Sequence, residues 1–323
     1  MGIYFGIALA QIKVIRPAVI SDNPADKKQR NSQYPVAVCA IGSLTKGMDW
    51  GRWNEVGTSQ ISVMMKRVEH DGRETAYRVT GSDGTGPRIL YVHGSGGTHE
   101  SWVFQYGQMG PTHPAIALDL SGHGESNDVE TAPGQSTLRA YVTDVAAVAS
   151  ETDPDVIVGH SMGGAILLQA LIADAVDPDA VVLAGTGAKL PVHEQIRTML
   201  AENFDDLIEW AHSGPYLFYD VGDEILDQSK STLQETGREV TERDFLTCHE
   251  FDVSGRLDEI ETPALAIVGT KDTMTPLSYH EQLAAELPDC RLETIDDAAH
   301  MLMIEQPAAF NRAIESFVAE TSN

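Results

Sequence analysis

The stretch Asp155-Val-Ile-Val-Gly-His-Ser-Met-Gly-Gly164 joins an apolar run to a serine flanked by glycines. The apolar run over residues 155–159 predicts a buried strand, and the residues from 162 onward predict a helix. A serine on such a sharp strand-to-helix turn has a strained backbone, and side chains two positions to either side would collide. Gly159 and Gly163 occupy those two positions. We therefore expect Ser161 to present its hydroxyl clear of the sheet, beside the positive end of a helix dipole.

Short apolar runs alternate with longer amphipathic segments from residue 75 onward. The predicted strands are 75–80, 88–93, 114–119, 155–159, 180–184, 264–269 and 291–295, and the predicted helices are 137–150, 162–175, 278–287 and 307–319. This alternation is typical of an α/β fold in which helices cover a mainly parallel sheet.

One long segment interrupts the alternation. Residues 190–256 have helical periodicity and aromatic residues but no convincing strand, and they are too many for an ordinary connection. We therefore predict a helical cap subdomain over residues 190–256. The α/β core would then comprise residues 64–189 and 257–323.

Composition narrows the class of protein. The 323 residues are 42% hydrophobic and 22% charged, as in ordinary globular proteins, and no apolar run is long enough to span a membrane. The 48 acidic residues against 22 basic ones disfavour binding to nucleic acid or anionic lipid, so a small neutral molecule is the expected partner. Cys39, Cys248 and Cys290 form no CxxC motif, which predicts neither a disulfide framework nor a zinc site and favours the cytoplasm.

The first 63 residues differ in charge from the rest of the chain. They hold seven basic and four acidic residues, whereas the remainder holds 15 basic and 44 acidic residues. Two hypotheses explain this N-terminal extension: a poorly ordered arm, or a start codon placed too early, with translation beginning at Met64 or Met65. The acidic excess itself resembles proteins of salt-loving organisms, and an acidic protein of an ordinary organism is the alternative.

A serine hydroxyl becomes a good nucleophile only when a base accepts its proton, so a histidine held by an acid is needed. Of the 11 histidines, His300 follows the predicted strand 291–295 and precedes the last predicted helix. That position lies at the carboxyl edge of the sheet, where Ser161 is also expected and where α/β sheets form their sites. His300 is therefore the predicted base.

The predicted acid is Asp272, which follows the strand 264–269 at the same edge. The loop after the strand 180–184, the commonest other position for the acid, contains no carboxylate. Asp296 and Asp297 precede the histidine directly, but acidic residues so close on one loop more often cap or solvate that loop.

Acyl transfer also requires hydrogen-bond donors for the developing oxyanion. The glycine-rich segment from His93 to Gly97 follows the strand 88–93, and its backbone can approach a substrate closely. We predict that the backbone N–H groups of Ser95 and Met162 form the oxyanion hole. The chain lacks the Gly-x-Gly-x-x-Gly and Gly-Lys-Ser/Thr patterns of phosphate-binding loops.

Taken together, five motifs resemble the α/β-hydrolase superfamily over residues 66–320. They are His93-Gly-Ser-Gly-Gly97, Asp119-Leu-Ser-Gly-His-Gly-Glu-Ser126, Gly159-His-Ser-Met-Gly163, Gly269-Thr-Lys-Asp272 and His300-Met-Leu-Met-Ile-Glu-Gln-Pro307. The resemblance implies an eight-stranded sheet and a catalytic serine, acid and histidine. It also implies that residues 119–126 form a structural turn and that His160 packs beneath the nucleophile.

Members of this superfamily that act on alkyl halides and epoxides carry Asp where Ser161 stands. The resemblance therefore implies a capped serine hydrolase of the carboxylesterase or haloperoxidase-like esterase group, which needs no metal or organic cofactor. The C–C bond hydrolases of aromatic degradation use the same triad and are an alternative. Near the nucleophile, however, the sequence offers no arginine for the carboxylate of a dienoate. A non-catalytic binding protein and an acyltransferase are further alternatives.

Overall fold

The computed structural model describes residues 64–81, 83–108 and 112–321, so the predicted extension over residues 1–63 lies outside the described residues. The described residues form one eight-stranded sheet. Its strands are β1 (Met64–His70), β2 (Arg73–Thr80), β3 (Ile89–Val92), β4 (Ala115–Leu118), β5 (Val156–His160), β6 (Ala180–Ala184), β7 (Ala264–Gly269) and β8 (Cys290–Ile295).

The strands lie in the order β1-β2-β4-β3-β5-β6-β7-β8. Strand β2 pairs antiparallel with both β1 and β4, and all the other neighbours are parallel. This confirms the mostly parallel sheet. The strand order reverses between β3 and β5, so the connections that leave these two strands diverge and open a crevice at their carboxyl ends.

Within the described residues, ten α-helices and two short 3-10 helices, His99–Trp102 and Leu257–Glu259, surround the sheet. The α-helices are α1 (Val103–Gln108), α2 (Gln135–Thr152), α3 (Met162–Ile172), α4 (Glu194–Glu202), α5 (Phe204–His212), α6 (Asp223–Thr236), α7 (Arg238–Glu250), α8 (Leu277–Glu286), α9 (Leu302–Glu305) and α10 (Pro307–Thr321). None of those in the described part of the chain combines the length and the apolar character that crossing a bilayer demands.

Helices cover both faces of the sheet, which is why its central strands are apolar throughout rather than alternating. In β3, for example, Leu90 and Val92 belong to a cluster that includes residues of α2, α3 and α8. The alternate residues, Ile89 and Tyr91, belong to a second cluster with α10 and Trp102. All four side chains of β3 are buried, so the strand that precedes the predicted oxyanion loop is held on both faces.

Helices α4–α7 all lie between β6 and β7, within residues 190–256, which we call the helical insertion. The chain enters and leaves the insertion side by side, because Lys189 forms a β-bridge with Asp252 and Val253 N–H donates to Ala188 O at 2.8 Å. Phe251, directly after α7, is buried in the same core cluster as residues of α2 and α3. The insertion is therefore attached to the core by side-chain packing as well as by the chain itself.

Candidate active site

Ser161 lies on the turn between β5 and α3, with φ 53° and ψ −116°. A positive φ strains a residue that has a side chain, and such strain is often found at functional positions. A Cβ at Gly159 would lie 2.5 Å from the carbonyl oxygen of Gly163, and a Cβ at Gly163 would clash with the carbonyl oxygen of Val92. The turn therefore requires glycine on both sides of Ser161, as the sequence pattern predicts.

His300 and Asp272 come from the loops after β8 and β7 and meet at the carboxyl edge of the sheet. His300 Nδ1 donates to Asp272 Oδ2 at 2.9 Å, and both side chains are buried. Because Nδ1 carries the proton in this contact, Nε2 of the neutral ring is the basic nitrogen. The pair thus has the orientation that a general base held by an acid requires.

Asp272 is held in its ionised form by several donors. Its Oδ1 accepts from the backbone N–H groups of Met274 at 2.8 Å and Thr275 at 2.9 Å, and its Oδ2 accepts from the Thr275 hydroxyl at 2.7 Å. Burial opposes ionisation of this carboxyl, but His300 and the Thr275 hydrogen bonds outweigh it and lower the pKa of Asp272. Asp272 is therefore an anion at neutral pH and can stabilise a positive charge on His300.

A cavity of about 490 Å³ brings the predicted residues together, because Ser161, His300 and Ser95 all line it. Apolar and aromatic side chains from the insertion, from the loop after β7 and from α8 make up much of the wall, among them Leu190, Ile196, Trp210, Phe245, Met274 and Tyr279. Among the described residues that line this cavity, none is lysine, arginine, aspartate or glutamate. The cavity can accommodate a small ligand and offers it an uncharged surface apart from its histidines.

Two donors within the loop after β3 hold the peptide group that joins Gly94 to Ser95. Gly94 O accepts from His93 Nδ1 at 2.8 Å and from Gly97 N–H at 3.1 Å, while Leu120 N–H donates to His93 Nε2 at 3.1 Å. Burial lowers the pKa of His93 to about 4, so the ring is neutral with its proton on Nδ1. The peptide that carries Gly94 O also carries the N–H of Ser95, so fixing that oxygen fixes the direction of the predicted oxyanion donor.

Met162 is the first residue of α3, and its side chain is buried. The first N–H groups of a helix have no partner within the helix, which leaves them for a ligand. The Ser95 hydroxyl lies 3.6 Å from the Met162 sulfur, so these two residues are in contact. The structure thus brings both predicted oxyanion residues beside Ser161.

His160 lies behind Ser161 and His300. Its Nε2 donates to the backbone carbonyl of His300 at 2.9 Å, and its ring meets the edge of Trp102. Burial lowers the pKa of His160 to about 3, so the ring stays neutral at physiological pH. These contacts make His160 a support for the backbone of His300.

The alternative acids lie apart from this arrangement. Asp296 and Asp297 are both exposed, and Asp297 faces Lys271 at 4.0 Å. The ring of His300 contacts neither carboxylate within the part of the chain that the structure describes.

A family model described as "Alpha/beta hydrolase family" matches residues 89–313, which is more than half of the chain. The chain belongs to the alpha/beta hydrolase family. The fold and the family match together confirm the resemblance seen in the motifs.

Several proteins are similar to this alpha/beta hydrolase. A solved structure of a thermophilic esterase is 28% identical, with a TM-score of 0.71, and the match covers 80% of this chain and 98% of the esterase. A dihydrolipoyllysine-residue acetyltransferase component of the acetoin cleaving system of Cupriavidus necator is 26% identical, over 95% of this chain and 78% of that protein. A 2-hydroxy-6-oxo-6-phenylhexa-2,4-dienoate hydrolase of Burkholderia cepacia is 26% identical, over 73% of this chain and 89% of that protein.

Three residues that sequence reasoning did not single out support the site of this alpha/beta hydrolase. Thr275 holds Asp272, as described above. Glu305, on α9, accepts from Ala299 N–H at 2.6 Å and from Tyr219 N–H in the insertion at 2.6 Å, so it links the loop before His300 to the insertion. The third, Asp244, lies on α7 of the insertion and contacts the loop after β3. Only Glu305 lies within a recognisable motif, and nothing local in the sequence marks the other two.

Proposed function

We propose that this alpha/beta hydrolase is a serine hydrolase that cleaves carboxylic esters through an acyl-enzyme on Ser161. The observation that carries the proposal is the shared cavity: Ser161 on its strained turn and His300 bonded to Asp272 line the same space. A nucleophile, a base and an acid in this relation are what acyl transfer requires. The 28% identity to a thermophilic esterase supports the same chemistry.

In the first half of the proposed reaction, His300 Nε2 accepts the proton of Ser161 as Oγ attacks the ester carbonyl carbon. The carbonyl oxygen takes the electron pair and becomes an oxyanion, which accepts hydrogen bonds from the N–H groups of Ser95 and Met162. The bond to the alcohol oxygen then breaks, and His300 gives its proton to the departing alcohol. Water repeats the sequence on the acyl-enzyme and releases the carboxylic acid.

The proposed substrates are uncharged near the scissile bond. None of the described residues in the wall of the cavity is a lysine or arginine that could pair with an anionic substituent, and the chain as a whole carries a net charge of −26. Burying an unpaired carboxylate against an apolar wall is costly, whereas a neutral acyl chain gains from contact with it. The helical insertion, which supplies much of that wall, would then act as the cap over the acyl chain.

Hydrolysis of p-nitrophenyl esters of increasing acyl length tests the proposal, in the wild type and in Ser161→Ala. We expect Ser161→Ala to lower kcat/KM by at least about 10³-fold, because the nucleophile is lost. Ser316→Ala, which alters an exposed hydroxyl on α10, is the matched control and should leave kcat/KM unchanged. Wild-type turnover in pure Ser161→Ala would show that the assignment is wrong.

Hydrolysis of a C–C bond is the second candidate, favoured by the 26% identity to the dienoate hydrolase of Burkholderia cepacia. The uncharged cavity wall argues against it, since a dienoate carries a carboxylate. The absorbance of 2-hydroxy-6-oxo-6-phenylhexa-2,4-dienoate with and without enzyme decides between the two. Loss of that absorbance at a higher kcat/KM than any ester would make C–C cleavage the function.

Acyl transfer to an acceptor other than water is tested in the same assay by adding an alcohol and analysing the products for a new ester.

The proposed location is the cytoplasm. The free thiols of Cys248 and Cys290 support it, because a reducing compartment keeps thiols in that form.

A further inference from the structure

We infer that Asp244, on α7 of the helical insertion, is a positioning residue for the oxyanion loop, the segment from His93 to Gly97. The inference rests on the proposed function, because the loop matters for rate only if Ser95 donates to an oxyanion. Its consequence is that the position of the insertion sets the geometry in which the reaction takes place, in addition to forming the wall of the cavity.

The contact between Asp244 and the loop is direct and buried. Gly96 N–H donates to Asp244 Oδ2 at 2.9 Å, and the side chain of Asp244 is fully buried. Gly96 follows Ser95 directly, so the peptide that Asp244 holds is the neighbour of the peptide that carries the Ser95 N–H. Those two peptides share the Cα of Ser95, so a rotation of one changes the direction of the other.

The carboxylate of Asp244 is itself held in place from the core. His123 Nε2 donates to Oδ2 at 2.9 Å, and the Tyr141 hydroxyl donates to Oδ1 at 2.6 Å. His123 Nδ1 lies 3.2 Å from the carbonyl oxygen of Ser121, so both ring nitrogens face acceptors and both act as donors. A protonated His123 thus pairs with an ionised Asp244, and three donors converge on one buried carboxylate.

The insertion also holds Gly96 from its other side. Thr236, the last residue of α6, donates its hydroxyl to Gly96 O at 3.0 Å. Gly96 has a φ of 68°, and a Cβ there would clash with Leu233 on the same helix. Helices α6 and α7 therefore hold both polar groups of Gly96, and a side chain at this position would have to displace Leu233.

The helix that carries Asp244 also contributes to the substrate wall. Phe245 and Cys248, on α7, line the cavity, and the Cys248 sulfur lies 3.7 Å from the Ser95 hydroxyl. A displacement of α7 would therefore move the wall and the oxyanion loop together. This arrangement links what the cavity binds to how well the loop is placed.

The test compares Asp244→Asn with a matched control, Asp128→Asn. An asparagine of the same size keeps one acceptor oxygen for three donors and loses the charge that pairs with His123. We expect Asp244→Asn to lower kcat for a p-nitrophenyl ester by about 10–100-fold, less than the loss of a whole oxyanion donor, with KM within about threefold of wild type. Asp128 pairs with Arg243 of α7 at 2.6 Å, so it also joins α7 to the core, but it makes no contact with the oxyanion loop within the described residues. Asp128→Asn should leave kcat within about threefold of wild type, as expected for a half-exposed ion pair.

A second readout separates positioning from loss of structure. A trifluoromethyl ketone that adds to Ser161 forms a tetrahedral oxyanion, whereas the corresponding methyl amide occupies the cavity without forming one. Asp244→Asn should weaken binding of the trifluoromethyl ketone by the same factor as it lowers kcat. It should change the inhibition constant of the amide by less than about threefold. Equal weakening of both ligands would overturn the inference, as would an equal loss of kcat in Asp128→Asn.

Thr236→Val carries the test if Asp244→Asn does not fold, because Thr236 is partly exposed and holds the same residue of the loop. It should also reduce kcat and trifluoromethyl ketone affinity together, and unchanged values would overturn the inference. Wild-type protein without Ser161-dependent turnover would overturn the proposed function and this inference with it. Active wild type with an unaffected Asp244→Asn would overturn this inference alone.

Discussion

Moderate acid should destabilise this protein steeply, because three of its histidines are buried as neutral rings. His93, His160 and His280 are each at most 3% exposed. Burial, which disfavours the charged form, lowers the pKa of His93 to about 4, of His160 to about 3 and of His280 to about 4. In the unfolded chain the same rings would have a pKa near 6.5, the ordinary value for histidine.

The sign and the size of the effect follow from proton counting. Between pH 6 and pH 5 the three rings bind protons in the unfolded chain but stay neutral in the folded one, so a fall in pH favours unfolding. Each additional proton bound by the unfolded state changes the free energy of unfolding by about 1.4 kcal/mol per pH unit, so three give about 4 kcal/mol per pH unit. That is a large part of the roughly 5–15 kcal/mol by which domains are usually stable. The buried His123, whose pKa is raised by Asp244, is protonated in both states in this interval and adds little.

Urea unfolding followed by circular dichroism at pH 7.5, 6.5, 6.0, 5.5 and 5.0, at constant salt, measures the slope. The free energy of unfolding should change little above pH 7 and should fall by about 4 kcal/mol between pH 6 and pH 5. His280→Gln provides the internal control, because it removes one titrating ring, whose Nε2 accepts from Thr186 N–H. Its slope should be smaller by about 1.4 kcal/mol per pH unit. A wild-type slope below about 1 kcal/mol per pH unit would refute the reasoning.

Three further predictions concern the turn, the acid and the charge. Gly163→Ala should lower the free energy of unfolding by about 2–3 kcal/mol, because its Cβ would clash with Val92 O. At the control position Gly107 a Cβ meets no atom within 4 Å, so Gly107→Ala should not destabilise the protein. Urea unfolding of both variants checks this. Thr275→Val removes the 2.7 Å hydrogen bond to Asp272 and should lower ester kcat by about tenfold, and an unchanged rate would show that the bond does not matter for the reaction. Because salt screens the repulsion within a net charge of −26, the melting temperature should be higher in 2 M KCl than in low salt. A melting temperature that does not change with salt would contradict adaptation to high salt.

Much of the sheet is predictable from the sequence because its central strands are apolar on both faces. Strands β6 and β7 lie at the predicted positions, residues 180–184 and 264–269, since every residue in them is buried. Strand β1 is not among the predicted strands because it is an edge strand in which Lys66, Arg67 and Glu69 are exposed. Helices α1 and α9 have six and four residues, too few for a helical period to be recognised.

Some residues of the candidate site can also be predicted from the sequence, and others cannot. Ser161, His300 and Asp272 can be recognised because each lies directly after a buried strand, where the topology alone brings loops to one edge. Asp244 cannot be recognised, because it lies 148 residues from Gly96 along the chain. On an amphipathic helix an aspartate beside an arginine looks like part of a solvated face, and only the packing of α7 shows that the carboxylate is buried.

The chain enters and leaves the helical insertion side by side, so this segment could be replaced by that of a relative while the sheet keeps its register. The network around Asp244 sets a condition on such chimeras. A foreign helix without an acceptor at that point would leave Gly96 N–H, His123 Nε2–H and the Tyr141 hydroxyl buried without the acceptor that Asp244 provides. Libraries that change cavity size should therefore keep the aspartate, or replace its three partners together, and vary Phe245 and Cys248 around it.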